Sequence, residues 1–361
     1  MSSDIPMDPS LVLITGAGRS GTSTMAGTLF RLGYHVPEPY MQGNESNPRG
    51  FYESWWPVRF HKRLIARANV EQTDGRPEAV DLVREVVDGD ARAELSQWLS
   101  EVTSASDRVV VKDPRAVWAS WLWSELAGEA GVNLTFLTML RHPAEVIGSR
   151  NTYYADYRSW MAARDFATMN LCGWINGNLI VERQTRDQPR SFVLYDDLLV
   201  DWRKQAEKLA AEIAVAADLS AEPASLVDDF IEPSLRRHEP DWGELEIPVS
   251  LREIAEEVFD AFVRLSAAAG HDEDIHAEID EIAARYQRLY ADSAAIAQDA
   301  ASARARVAKA EGARKARKRA QQKQAGTAGA SAQPVSMPRA LARTAMQHSA
   351  LLRRMREGVR R

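Results

Sequence analysis

Four short runs of apolar and β-branched residues stand out in the first 200 positions, at 11–15, 109–111, 134–140 and 191–195. Runs of that length, bounded by polar turn or helix signals, predict buried strands. Between them the apolar positions fall at helical spacing, over 22–32, 57–66, 116–126 and from 144 through 149 onward. Strands alternating with helices predict a mostly parallel sheet covered on both faces, and such sheets bind ligands beyond the carboxyl ends of their strands. The spacing of Ser250-Leu251-Arg252-Glu253 predicts a capping box opening a helix that ends near Gly270. A compact domain over 1–270 follows.

From Ile275 apolar or small residues recur at alternating steps of four and three, through Ile279, Ile282, Tyr286, Leu289, Ser293, Ile296, Ala300, Ala303 and Val307. Two readings of 271–320 stand side by side: a weak coiled coil that self-associates through 275–307, or a single solvated helix. Residues 321–337, rich in Gln, Ala, Gly, Ser and Thr, read as a flexible linker. Over 338–361, Leu341, Ala345, Leu352, Met355 and Val359 share one helical face, with arginines opposite. That pattern suits an anionic membrane surface or an acidic partner, and an unstructured arginine-rich tail is the competing reading.

Charge sharpens the division. The 361 residues carry 45 Lys and Arg against 51 Asp and Glu, yet 301–361 hold 16 basic residues and only Glu311 and Glu357. The preceding 300 residues are strongly acidic. The basic tail has no aromatic residue for base stacking, so specific nucleic-acid binding is not expected. A single cysteine, Cys172, rules out an internal disulfide framework or a multi-cysteine metal site and fits a reducing compartment. No export signal or membrane-spanning run is read, which predicts a cytoplasmic protein, peripheral at the inner membrane surface if the tail binds lipid.

The first strand runs into Gly16-Ala17-Gly18-Arg19-Ser20-Gly21-Thr22-Ser23, followed by helical periodicity. Strand, glycine loop and helix form a phosphate cradle: the backbone curls so that N–H groups point at phosphate oxygens, and the helix N-terminus adds its dipole. An ATP or GTP loop places Lys before Ser or Thr after the second glycine, whereas this chain has Thr22 and Ser23 there and its cation earlier, at Arg19. A phosphorylated nucleotide with different terminal chemistry is therefore expected.

Gly18 through Met25, Gly-Arg-Ser-Gly-Thr-Ser-Thr-Met, resembles the 5′-phosphosulfate loop of sulfotransferases that use 3′-phosphoadenosine 5′-phosphosulfate (PAPS). Arg141 and Ser149, at a strand end and in the following helix, are similar in type and separation to that family's 3′-phosphate-binding pair. Asn47-Pro48-Arg49-Gly50-Phe51-Tyr52-Glu53 and Val111-Lys112-Asp113-Pro114-Arg115 look like segments of the bacterial, carbohydrate-type members. Leu194-Tyr195-Asp196-Asp197-Leu198 resembles the element whose tyrosine helps hold adenosine, and Pro233 through His238 a late basic loop containing Arg236 and Arg237. The resemblance covers about 11–270. It implies a three-layer α/β/α P-loop-like fold with a mostly parallel sheet, to which this chain adds its C-terminal helical extension.

The resemblance also implies in-line transfer of a sulfuryl group from PAPS to a hydroxyl of a carbohydrate, glycolipid or related acceptor, with no metal required. Gly18, Arg19, Ser20, Gly21, Thr22 and Ser23 would hold the 5′-phosphosulfate, Arg141 and Ser149 the 3′-phosphate, and Tyr195, Arg236 and Arg237 the rest of the donor. Lys112 and Arg19 are the candidates for stabilising the leaving group, and Glu53 for general base, with His61 and Asp113 as alternatives. Simpler roles compete: Arg141 pairing with a carboxylate such as Glu145, Lys112 pairing with Asp113 or another carboxylate, and tryptophans 55, 56, 118, 121, 123 and 174 as core rather than sugar platforms. Two other functions remain open at this point, a P-loop kinase with Asp113 as metal partner, and a non-catalytic scaffold acting through its helices and tail.

Overall fold

A computed structural model describes residues 9–44, 47–153, 162–232, 241–243 and 245–330. Four strands, β1 (Ser10–Thr15), β2 (Arg108–Lys112), β3 (Asn133–Leu140) and β4 (Arg190–Leu194), pair in the order β2-β1-β3-β4, all parallel. The register pairs Ile14 with both Lys112 and Leu137, and Leu140 with Leu194, so all four strands end along one rim. Parallel strands covered on both faces need apolar side chains in both directions, which is why these runs are continuous rather than alternating.

The two faces bury different residues of the same strands. Leu11, Leu13, Val109, Val111, Leu134 and Phe136 pack against α2 (Trp55–Arg67), α3 (Ala79–Val86), α4 (Gly89–Ala105) and α5 (Ser120–Glu129). Val12, Ile14, Val110, Leu137, Met139 and Val193 pack against α1 (Thr22–Arg31), α8 (Tyr195–Val200), α9 (Trp202–Ile213) and α10 (Ala221–Phe230). A third cluster joins Leu140 and Phe192 to α6 (Pro143–Tyr153), α7 (Ala163–Thr185), α11 (Val249–Ala267) and α12 (Glu273–Ile296). The expected three-layer α/β/α arrangement is present.

Several boundaries depart from the sequence reading. The helix expected over 116–126 is a 3-10 turn, Pro114–Trp118, followed by α5, because Pro114 opens the turn and Asp113 Oδ1 caps it by accepting from Arg115 N at 3.0 Å. Tyr195 opens α8 instead of ending β4. Ser250 is no cap: Pro248 stands at the N-cap of α11, whose first turn has no side-chain cap, so the capping box does not form. The stop at Gly270 does appear, with φ +80 and its N–H donating to Leu265 O at 2.8 Å.

The compact body does not end there. It runs over Met1–Asp292, and Ile275, Ile279, Ile282 and Tyr286 are buried in its third cluster. Arg190 clamps this region, donating to Gly270 O at 2.9 Å and to His276 Nε2 at 2.8 Å. The apolar stripe expected to self-associate is spent, over its first half, on the chain's own core. A second unit, Ser293–Arg361, contains the end of α12 and α13 (Gln298–Ala330), in which Val307 is 60% exposed. Helix α13 continues to Ala330, ten residues into the expected linker. The amphipathic segment 338–361 lies outside the described residues. Among the described residues no helix is long and apolar enough to cross a membrane.

Candidate functional site

Each strand delivers one site element to the common rim. β1 leads into the loop 16–21, β2 ends on Lys112, β3 is followed by Arg141, and β4 by Tyr195. Together with α6 and the segment after α1 they enclose a cavity of about 490 Å³. Gly18, Arg19, Gly21, Thr22, Ser23, Glu53, Lys112, Arg141, Ser149 and Tyr195 all line it. Ser20 does not. It is fully buried under the loop, and its hydroxyl has no hydrogen-bond partner. Arg236 and Arg237 lie outside the described residues.

The loop curls through three left-handed residues, Gly16 at φ +115, Arg19 at +81 and Gly21 at +87. Gly21 is required twice over: it caps α1 in that conformation, and a Cβ there would lie 2.1 Å from Tyr195 Cδ2. The Tyr195 ring therefore rests directly on the loop, with the Arg141 guanidinium 4.9 Å from its centroid. Arg19, at the tip, carries an ordinary side chain in a conformation that costs about 1 kcal/mol or more. Its Nε donates to Ser149 Oγ at 2.9 Å, its guanidinium lies 4.2 Å from the Tyr153 ring centroid, and its carbonyl accepts from Arg141 Nη1 at 3.2 Å. The loop tip and the Arg141/Ser149 pair are one hydrogen-bonded unit.

Arg141 pairs with Glu145 one helical turn on, at 2.5 Å, as its structural alternative anticipated. It is nonetheless a cavity residue, 8% exposed, and its Nη2 is buried without a hydrogen-bond partner. A guanidinium that lines a cavity and keeps one nitrogen unsatisfied is suited to an anionic oxygen.

On the β2 side, Lys112 Nζ donates to Glu53 Oε1 at 2.6 Å and to Ser23 Oγ at 3.2 Å, so its partner is Glu53 and not Asp113. Glu53 is aimed by the turn before it, in which Gly50 and Tyr52 take φ +100 and +53 and the Tyr52 ring stacks on Tyr40. Both Lys112 and Glu53 are buried.

The two alternative bases are elsewhere. His61 accepts from Trp123 Nε1 at 2.9 Å through Nε2, which leaves Nδ1 as the protonated nitrogen donating to Asp113 Oδ2 at 2.8 Å. Asp113 also accepts from Arg115 Nη1 at 2.7 Å. Neither residue lines the cavity. Burial pushes the Asp113 carboxyl up, but the hydrogen bond from His61 and the charge and amide of Arg115 outweigh it and hold the group below the usual carboxylate range. With its oxygens so engaged, Asp113 is turned away from the loop where a kinase would need its metal partner.

One wall was not read from sequence. Arg150 donates to Asn170 Oδ1 at 2.6 Å and to Thr73 Oγ1 at 2.9 Å, and these three line the cavity with Gln72 and Phe166. The segment bearing Thr73 sits tightly against α7: a Cβ on Gly173 would lie 2.3 Å from Thr73 Cγ2, and one on Gly75 2.6 Å from Cys172 Cβ. The glycines were a signal for close approach, though not for what approaches. Trp118, Trp123 and Trp174 are core residues at most 2% exposed, Trp56 and Trp121 pack half-buried against the first cluster with Trp56 stacked on Phe60 and Trp98, and half-buried Trp55 belongs to none of the three clusters. Among the described residues, no group of three or more His, Cys, Asp or Glu side chains is placed to hold a metal ion.

No protein-family model and no curated protein matches the chain. Among solved structures it is similar to the sulfotransferase domain from the Synechococcus PCC 7002 olefin synthase, at 17% identity and a TM-score of 0.42 over 71% of this chain and 95% of that one. It is also similar to the sulfotransferase domain from the curacin biosynthetic pathway, at 15% identity and a TM-score of 0.36 over 77% of this chain and 97% of that one.

Proposed function

We propose that the protein is a sulfotransferase that moves a sulfuryl group from PAPS to a hydroxyl of a carbohydrate, glycolipid or related acceptor. The observation that carries this reading is the meeting of two anion-binding elements in one cavity: a glycine loop without the kinase lysine, and Arg141 with a buried, unpartnered nitrogen. A nucleotide bearing phosphate groups at both its 5′ and 3′ positions matches two such elements, whereas ATP matches one.

In this reading the loop amides, Arg19 and the Thr22 and Ser23 hydroxyls hold the 5′-phosphosulfate, with Gly18 and Gly21 giving the backbone its close approach and Ser20 supporting the loop from beneath. Arg141 and Ser149 take the 3′-phosphate, Tyr195 the adenosine, and Arg236 and Arg237 add charge to the donor site. Glu53 accepts the proton of the acceptor hydroxyl as its oxygen bonds to sulfur. Lys112 and Arg19 meet the charge that develops on the 5′-phosphate oxygen as its bond to sulfur breaks. The leaving group is adenosine 3′,5′-bisphosphate.

Calorimetric titration with adenosine 3′,5′-bisphosphate, against ADP and ATP–magnesium, tests the reading. Micromolar binding that depends on the 3′-phosphate and weakens at least about tenfold in Arg141→Ala and Arg19→Ala is expected. A preference for ATP–magnesium would overturn it.

A further inference from the structure

Glu53 is the cavity end of a buried polar chain whose deeper members never reach the cavity. Trp123, His61, Asp113 and Arg115, which are 0, 1, 0 and 6% exposed, connect in that order. The chain then meets Glu53 through Arg115 Nη2, 3.6 Å from Oε2. The two oxygens of Glu53 are consequently unequal. Oε1 is committed to Lys112 in a short charge-assisted bond, while Oε2 faces Arg115 within ion-pair range but beyond hydrogen-bond length. A carboxylate oxygen kept charged by a nearby cation, yet not donated to, retains a lone pair for a proton.

Building on the sulfotransferase reading, we propose that Arg115 is a positioning residue for Glu53, fixed by Asp113 and His61 so that Oε2 is the proton-accepting atom. The anchor is rigid on its far side. Asp113 binds Arg115 through both its backbone N–H and Nη1, and its other oxygen is taken by His61. Arg115 Nε is buried with no hydrogen-bond partner, a cost that an arginine serving only local stability would shed by turning its fork fully onto Asp113. Because His61 is neutral, the set of Lys112, Arg115, Glu53 and Asp113 holds two charges of each sign, and removal of either cation leaves a buried carboxylate under-compensated. The cavity wall contributes the remaining charges, Arg19, Arg49, Arg141, Arg150 and Glu71.

The test uses the full chain with Arg115→Lys, Glu53→Gln and the double variant. Lysine keeps a charge for Asp113 but lacks the fork that reaches Glu53 as well. Turnover is read as adenosine 3′,5′-bisphosphate released from PAPS with water as acceptor across pH 5–9, alongside thermal melting and calorimetric binding of adenosine 3′,5′-bisphosphate. Arg115→Lys should melt cooperatively, bind within about twofold of the wild type, turn over about tenfold more slowly, and move the acidic limb of the profile to higher pH, because a carboxylate that loses a nearby cation is protonated more readily. On the Glu53→Gln background it should cost less than about twofold more. If Arg115→Lys does not fold, His61→Leu and His61→Asn replace it: the asparagine, which keeps a donor toward Asp113, should retain the wild-type limb and the leucine should not. Losses that multiply in the double variant, or an unmoved limb in folded Arg115→Lys or His61→Leu, would overturn the proposal. Wild-type protein that fails to bind adenosine 3′,5′-bisphosphate would instead sink the donor reading on which it rests.

Discussion

Lys112 Nζ and Glu53 Oε1 lie 2.6 Å apart, with both side chains buried and Ser23 of the glycine loop on the lysine's other side. A buried ion pair of this kind stabilises little in itself, since desolvation offsets the attraction, but breaking it leaves an uncompensated charge.

Removal of one partner should therefore be worse than removal of both. Lys112→Met is expected to lower unfolding stability by about 3–5 kcal/mol, and the Lys112→Met, Glu53→Gln double variant to recover at least about half of that. Urea denaturation of the four proteins checks it. A double variant as unstable as the sum of the two single ones would show that the pair is not coupled as its geometry indicates.

Arg19 poses a different trade. At φ +81 its backbone favours glycine, yet its side chain ties the loop to Ser149. Arg19→Gly should melt higher than Arg19→Ala, by about 1 kcal/mol in stability, because only glycine occupies that region without strain. Both should lose nucleotide affinity alike, since both lack the guanidinium. Equal melting temperatures would mean that the loop relaxes out of the left-handed conformation when the side chain is gone.

Much of this site was legible because parallel sheets expose chemistry at strand ends. The apolar runs located the strands, so Lys112, Arg141 and Tyr195 were recognisable as rim residues before any contact was known, and the glycines after β1 marked the loop. What escaped depends on tertiary approach. Arg150, Thr73 and Asn170 form a wall only because the segment after α2 packs on α7, and nothing within either segment encodes the other. Periodicity failed in a related way at 275–286. Steps of three and four require an apolar partner but do not name it, and the partner is the chain's own third cluster rather than another copy. The engagement of His61 and Asp113 away from the cavity likewise involves the Trp123 contact, which has no sequence signal.

Asp113 gives a pH signature. Its folded carboxyl is held below the ordinary value of 3.8, so its contribution to stability is complete above that value and is lost as pH falls through the lower, folded one. The stability gap between the wild type and Asp113→Asn should be constant from pH 7 to about 5 and should narrow below about 4. Denaturation midpoints measured from pH 7 down to pH 3 would reveal it. A gap that widened with acid would mean that the carboxyl is raised, not lowered, in the folded protein.

Helix α12 belongs to the body through Tyr286, whose hydroxyl donates to Gly75 O at 2.5 Å and lies 3.2 Å from Cys172 O. Loss of Ile275, Ile279, Ile282 and Tyr286 removes roughly 6–12 kcal/mol of apolar burial, comparable to the whole stability of a domain. Truncation after Asp292 should leave a cooperative melt, whereas truncation after Gly270 should not. Cys172 reports the same docking in the intact chain. Burial pushes its thiol up to about 11, so a thiol-specific reagent at pH 7 should react slowly with the native protein and rapidly in denaturant. Tyr286→Ala should accelerate the native reaction at least about tenfold by opening the surface over Cys172. An unchanged rate, or a folded protein truncated after Gly270, would place α12 outside the core and restore self-association as the use of its apolar stripe.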